Sequence, residues 1–380
     1  MAELFEPVSI NGMTLANRFV RSATWEGLAS RDGSITPRLT KMMIELARNE
    51  VGLIISGYTF VSPEGQSSPG QLAIHSDRFV PGLRTMVQAV HDAGGKIALQ
   101  IVHAGRFADV VLTGLPPIGP SAVEKDGQPT CRAMSKDDIT KVLSAFTWAA
   151  VRARQAGFDA IQLHAAHGFL FSQFLSPAFN HRADEYGGTL ENCARLLIDA
   201  VRNIRKVIGP AYPLLIKLNS EDFLDGGLTR DEAIQVSAML EAASVDAIEF
   251  SGGTVASPEK FLPVRPGKAK TPPDEAFYRE AAKLYKTRVG IPLMLVGGIR
   301  SYETADDLVR QGVADYISLG RPLICEPDLV KRWHSGDRRA SECGSCNSCF
   351  APAKDGRGVY CVALEKKRGK IGGGSTATNR

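Results

Sequence analysis

DAIQLHAAHGFLFSQF, residues 159–174, opens as a strand and ends as something else. Ile161 and Leu163 belong to a near-continuous apolar run, the pattern of a strand buried on both faces. His164 and His167 then stand where the run stops, with two alanines between them. Seven more such runs flank this one, FDAIQLH (158–164). Three precede it: RFVRSA (18–23), VGLIISG (51–57) and KIALQIVH (96–103). Four follow: PLLIKLN (213–219), VDAIEFS (245–251), PLMLVG (292–297) and ADYISLG (314–320). Stretches of helical period separate them, among them DDITKVLSAFTWAAVRARQAG and NCARLLIDAVRNIRKVIG, and several stop at glycine. Eight strands, each followed by a helix, predict an α/β fold of the (β/α)8 TIM-barrel type rather than an open doubly wound sheet. The expected organisation is a barrel over 1–335, a Cys-rich extension over 336–365 and a flexible tail over 366–380, which is basic and then rich in Gly and Ser.

With 44% hydrophobic and 23% charged residues in 380, the composition is that of a soluble globular enzyme. Its 45 basic and 41 acidic side chains leave a net charge of +4, too balanced to point to nucleic acid or an anionic membrane. No apolar run approaches the roughly 20 residues of a membrane span. The start, MAELFEPVSI, lacks the basic and apolar regions of a secretory signal, so a cytoplasmic location is expected.

Barrel enzymes carry their active sites at the C-terminal ends of the strands. There the chain reads RSATWEG, SGYTF, QIVHAGRF, HAAHGF, LIKLNSED, SGG, VGGIRS and LGRPL, a rim of glycines and polar donors. Gly297 and Gly298, with Gly320 and Arg321 at the start of a helix, combine free backbone N–H groups with a guanidinium, as a phosphate site requires.

The segments NRFVRSA, GLIISGYTFVSPEGQ, ALQIVHAGR, GFDAIQLHAAHGFLFSQFLSPAFNHRADEYGG, VGGI and LGRP resemble the old yellow enzyme family, in order, from about residue 4 to residue 330. Within it the chain is most similar to the 2,4-dienoyl-CoA reductases and bacterial ene-reductases. The resemblance implies a barrel that binds FMN and takes NAD(P)H as reductant. Hydride would pass from flavin N5 to the β-carbon of an α,β-unsaturated carbonyl compound, an enone or enoyl thioester. His164 and His167 match the pair that binds the substrate's carbonyl oxygen. Gln100 matches the glutamine at the flavin pyrimidine edge, and Ser22, Ala23 and Thr24 the strand end along the isoalloxazine. Lys217 stands where the family usually has an arginine near N1, keeping the charge without the planar fork. Gly297, Gly298, Gly320 and Arg321 match the phosphate end. A homo-oligomer is implied by analogy.

Three positions depart from the pattern. Phe169 replaces a tyrosine that protonates the substrate in many ene-reductases, so solvent or another group, with Tyr58 as the candidate, must supply that proton. Trp25 replaces a smaller residue and is expected to narrow the pocket, with Glu26 beside it facing either pocket or surface. Arg21 is a charge within a strand and needs a partner. Arg182, Asp184 and Glu185 read as loop-ordering ion pairs, and His103 as structural or pocket-facing.

Cys343, Cys346, Cys349 and Cys361 have the spacing C-x2-C-x2-C-x11-C, which suits tetrahedral zinc or a [4Fe–4S] cluster. It is similar to the cluster motif of dienoyl-CoA reductases, which carries one more residue between the second and third cysteines. The motif supports a rival expectation, an electron-transfer component exchanging electrons between FMN, a cluster and a redox partner protein. A second rival is a flavin-free phosphate-binding lyase or isomerase, for which Lys217 is the one lysine placed to form a Schiff base.

Overall fold

The computed structural model describes residues 3–267, 271 and 274–372. Eight parallel strands lie at the expected positions: β1 (Phe19–Arg21), β2 (Leu53–Ile55), β3 (Ile97–Val102), β4 (Ala160–Ala165), β5 (Leu214–Asn219), β6 (Ala247–Ser251), β7 (Leu293–Leu295) and β8 (Tyr316–Leu319). Each pairs with the next, β8 returns to β1, and β3 with β4 completes the ring. The principal helices between them are α1 (Pro37–Arg48), α2 (Val80–Asp92), α3 (Lys136–Ala156), α4 (Leu190–Ile208), α5 (Arg230–Ala242), α6 (Arg279–Arg288) and α7 (Tyr302–Arg310). Among the described residues, no helix is long and apolar enough to cross a membrane.

Side chains alternate between the two faces of a strand, so every second residue enters the barrel. The lowest interior layer is apolar, with Val20, Ala98, Ala160, Leu215, Ala247, Met294 and Tyr316 in one buried cluster. An antiparallel hairpin, Val8–Ile10 with Met13–Leu15, adds Ile10, Met13 and Leu15 to it and plugs that end. Two residues further along, the layer turns polar. Gln100 faces Gln162 in register, as Lys217 faces Glu249. His164 is in register with Lys217 one step nearer the rim. Each inward position thus moves from packing to chemistry as its strand approaches the open end.

The hairpin at the barrel's closed end, Thr59–Phe60, Ile118–Gly119, and Val123–Lys125 paired with Gln128–Ala133 were not legible as strands. The expected flexible tail is helical as far as Gly372, in Val362–Gly372, and 373–380 lie outside the described residues. The Cys-rich extension folds back over the barrel rim. Cys349, Ala353 and Val359 pack with Ile324 against Trp25 and Phe350.

Candidate active site

A cavity of about 630 Å3 opens at the C-terminal ends of the strands. It gathers Ser22, Ala23, Thr24 and Trp25 from the end of β1, Tyr58 after β2, and His164, His167 and Phe169 from β4 and its loop. Lys217, Gly297, Gly298, Gly320 and Arg321 complete the expected set. The loop between β6 and α6 adds Leu262, Pro263, Val264, Phe277 and Tyr278, none of which was legible as site-forming.

Gln100 is the exception among the expected cofactor contacts. It does not line the cavity; its carboxamide is buried one layer down and donates to Gln162 Oε1 at 2.7 Å. Gln162 donates in turn to Glu249 Oε2 at 2.9 Å. Gln162 comes from β4 and Glu249 from β6, strands that are not neighbours, so the bond crosses the barrel interior.

The two histidines differ in their bonding. His164 Nδ1 accepts the Ala166 N–H at 3.3 Å, which places the proton of the neutral ring on Nε2. His167 has φ +65°, a left-handed conformation that histidine tolerates better than most residues. Its N–H donates to Asn219 Oδ1 at 3.1 Å, and its Nε2 lies 2.7 Å from the Ser251 hydroxyl. The rings stand edge to face, with centroids 5.1 Å apart.

Burial, followed by the neighbouring His167 and the Lys217 ammonium, pushes His164 well below the ordinary imidazole value of 6.5. Burial and then Lys217 do the same to His167. Both rings are therefore neutral donors near pH 7. Unfolding releases them to take up protons below about pH 6.5, so their contribution to stability is complete above that pH and declines as the pH falls. Ring NMR shifts of the folded protein are expected to show neither histidine titrating between pH 6.5 and 8. A ring protonating at or above 6.5 would contradict this.

Tyr58 packs its ring 5.4 Å from Phe169, whose own ring lies 4.8 Å from His164. Its hydroxyl is 2.9 Å from Ser68 Oγ, and burial raises its pKa, so the phenol stays protonated. Trp25 donates its indole N–H to Pro69 O at 3.1 Å and forms part of the wall. His103 is buried away from the cavity, where Nδ1 accepts the Gly105 N–H, a structural role. Arg182 bonds Asp184, and Glu185 bonds Lys136, as loop-ordering pairs.

The partner that Arg21 requires is Glu26, 2.9 Å away, with side chains 2% and 5% exposed. Glu26 therefore faces neither the surface nor the cavity, whose lining does not include it. Lys217 is also paired. Its Nζ lies 3.0 Å from Glu249 Oε2 and donates to Ser22 Oγ at 2.8 Å. Burial by itself would raise the Glu249 carboxyl. The Lys217 ammonium and the bonds from Ser22, Gln162 and Lys217 outweigh it and hold the group below its usual range.

The glycine end suits a phosphate. Gly297 has φ +117° and Gly298 φ +76°, and a Cβ on either would fall within 2.7 Å of the Tyr278 or Phe277 ring. Their N–H groups have no backbone acceptor among the described residues. Arg300, 8% exposed, and Ser318 also line the cavity, and Arg300 Nε and Ser318 Oγ are buried without partners. Unpaired buried donors at one end, with a paired lysine deeper in, fit FMN. Arg321 lines the same end, but its Nη1 donates to Arg265 O at 2.8 Å, Ser345 O at 3.2 Å and Asn347 Oδ1 at 2.6 Å. That amine is committed to the loop and the extension rather than to a phosphate.

The four cysteines of the motif do line one cavity, of about 220 Å3, but a fifth, Cys325, joins them. Cys361 Sγ lies 3.4 Å from Cys325 Sγ. Among the described residues, no group of three metal-ligating side chains is placed to share an ion. The motif's fourth thiol is turned to a neighbour outside it. Mild thiol oxidation is expected to join Cys325 to Cys361, recovered as a cross-linked pair in a non-reducing digest. Stoichiometric zinc or iron on the purified protein would contradict this placement.

A model of the NADH:flavin oxidoreductase / NADH oxidase family matches residues 3–339. The chain is 35% identical to the NADH oxidase of Thermoanaerobacter brockii over 93% of its own length and 54% of that protein's. It thus spans about half the length of that relative. It is 36% identical to the NADPH dehydrogenase of Halalkalibacterium halodurans, covering 86% of this chain and 92% of the relative. The old yellow enzyme homologue from Zymomonas mobilis superposes with a TM-score of 0.75 at 31% identity, covering 88% of this chain and 93% of the other. With the barrel and its rim cavity, these likenesses show that the chain belongs to the NADH:flavin oxidoreductase / NADH oxidase family, the FMN-dependent oxidoreductases of old yellow enzyme type.

Proposed function

We propose that the chain uses NAD(P)H to reduce the carbon–carbon double bond of an α,β-unsaturated carbonyl compound, an enone or an enoyl thioester. Bound FMN would supply the two-electron carrier between nicotinamide and substrate. The Gly297–Gly298 backbone and Arg300 would hold its phosphate, and Lys217 its ring. The observation that carries the reading is the pair of imidazoles, ring centroids 5.1 Å apart, lining a largely apolar cavity at the barrel rim.

A carbonyl oxygen gains negative charge as its conjugated double bond accepts hydride. Donors already aimed at that oxygen stabilise the charge without reorganising. His164 offers Nε2–H. When Ser251 donates to Nε2 of His167, the proton of that ring sits on Nδ1. Phe169, Trp25 and Tyr58 keep water from the site, which strengthens both bonds. Phe169 has no proton to give. The Tyr58 phenol, with its ring 6.4 Å from that of His164, is the side-chain source, and solvent is the other.

The test is anaerobic mixing of the dithionite-reduced holoenzyme with 2-cyclohexen-1-one. Return of the oxidised flavin absorbance, with one cyclohexanone formed per flavin, is the expected result. Reduced flavin that survives both this enone and a crotonyl thioester would overturn the proposal.

A further inference from the structure

Lys217 lines the cavity, whereas Glu249, with a side chain 0% exposed, lies behind it and does not. The two are register neighbours on β5 and β6, their charged atoms 3.0 Å apart. Glu249 Oε2 takes both Lys217 and Gln162. A carboxylate in so dry a place costs stability that hydrophobic residues of similar size would not. Such a cost calls for a compensating role at the cavity, and the lysine it touches is the only one of the pair that lines it.

We infer that Glu249 is a positioning residue that cancels the charge Lys217 presents to the flavin and so keeps the flavin's reduction potential low. The inference rests on the FMN reading above. Hydride from NAD(P)H adds two electrons and one proton to a neutral ring, leaving one negative charge on the product. A bare ammonium against that ring would favour the reduced form. A carboxylate 3.0 Å from the ammonium removes most of that preference, because the ring then meets a dipole instead of a net charge. A flavin held at low potential surrenders hydride readily to a weakly activated double bond. The chain from Gln100 through Gln162 fixes Glu249 on the lysine and prevents it from swinging away.

The measurement is the midpoint potential of the FMN-loaded protein, by dye equilibration without air, for wild type and three variants. Glu249→Gln is expected to shift the equilibrium toward reduced flavin by about tenfold or more. That corresponds to about 30 mV in the positive direction for a two-electron couple. Lys217→Gln shifts it the other way. The Lys217→Gln/Glu249→Gln double variant, whose layer is again neutral, returns to within about threefold of wild type. This variant also covers the case in which Glu249→Gln, with an unpaired buried ammonium, fails to fold. Glu249→Asp, which keeps the charge, stays near wild type. A merely structural Glu249 would lower stability in Glu249→Gln without moving the potential, and that outcome overturns the inference. A double variant displaced as far as either single variant overturns it as well. Wild-type protein that takes up no FMN would instead remove the reading beneath it, an outcome distinct from both.

Discussion

Replacing His164 with alanine lowers kcat/KM toward a cyclic enone by about two to three orders of magnitude, the usual loss for one donor to a developing oxyanion. The loss falls mainly on kcat, because the bond strengthens as charge builds on the oxygen. Flavin content is unchanged, since His164 is placed among Tyr58, Phe169 and His167 rather than at the glycine end of the cavity. His164→Asn, which keeps a donor, retains more activity than the alanine variant. The comparison is made by steady-state kinetics on protein matched for FMN. A His164→Ala variant within threefold of wild type would show that the ring is structural.

Replacing Glu26 with alanine lowers stability by about 3–5 kcal/mol, because it leaves the Arg21 guanidinium buried without its counter-charge. At 2% exposure, Arg21 has no solvent to turn to. Its remaining bonds, from Nη1 to Ile55 O at 2.6 Å and from Nη2 to Thr24 O at 3.1 Å, are to neutral carbonyls. The Gly57 N–H also loses its acceptor, Glu26 Oε1 at 2.8 Å. Thermal unfolding followed by circular dichroism is expected to show a Tm roughly 4–6 °C lower. Arg21→Met/Glu26→Leu, which removes both charges and keeps the volume, loses much less. Equal losses in the two variants would mean that packing, rather than the ion pair, holds this corner.

The barrel was legible because buried parallel strands must be apolar on both faces, and the eight runs end where the structure ends its strands, to within a few residues. The rim was legible for a related reason. Glycines and polar side chains gathered at the ends of successive apolar runs mark the face on which a barrel binds its ligands. The polar layer beneath was not legible. Glu249 in VDAIEFS looks like an isolated acid, and its meaning depends on the register that sets it beside Lys217. Register joins residues 32 positions apart and cannot be read from either strand alone. Gln100 is a case of the same kind, since its partner Gln162 lies 62 residues away.

Arg321 and the cysteines show a different dependence on the fold. Their local spacing was informative, but the extension that returns over the rim competes for them. Asn347 and Ser345 engage one amine of the Arg321 guanidinium, and Cys325 sets its thiol beside Cys361. Glu26 had two readings until Arg21 was seen to lie within reach. In each case the chemistry of the residue was apparent, and its partner was supplied by tertiary packing.

The most direct measurement is the visible absorption spectrum of the protein purified without air and supplied with FMN, taken before and after NADPH is added. A two-banded flavin spectrum that bleaches with NADPH alone, and returns when an enone follows, is the predicted result. A protein that binds no flavin, or a bound flavin that NADPH leaves oxidised, would contradict the account.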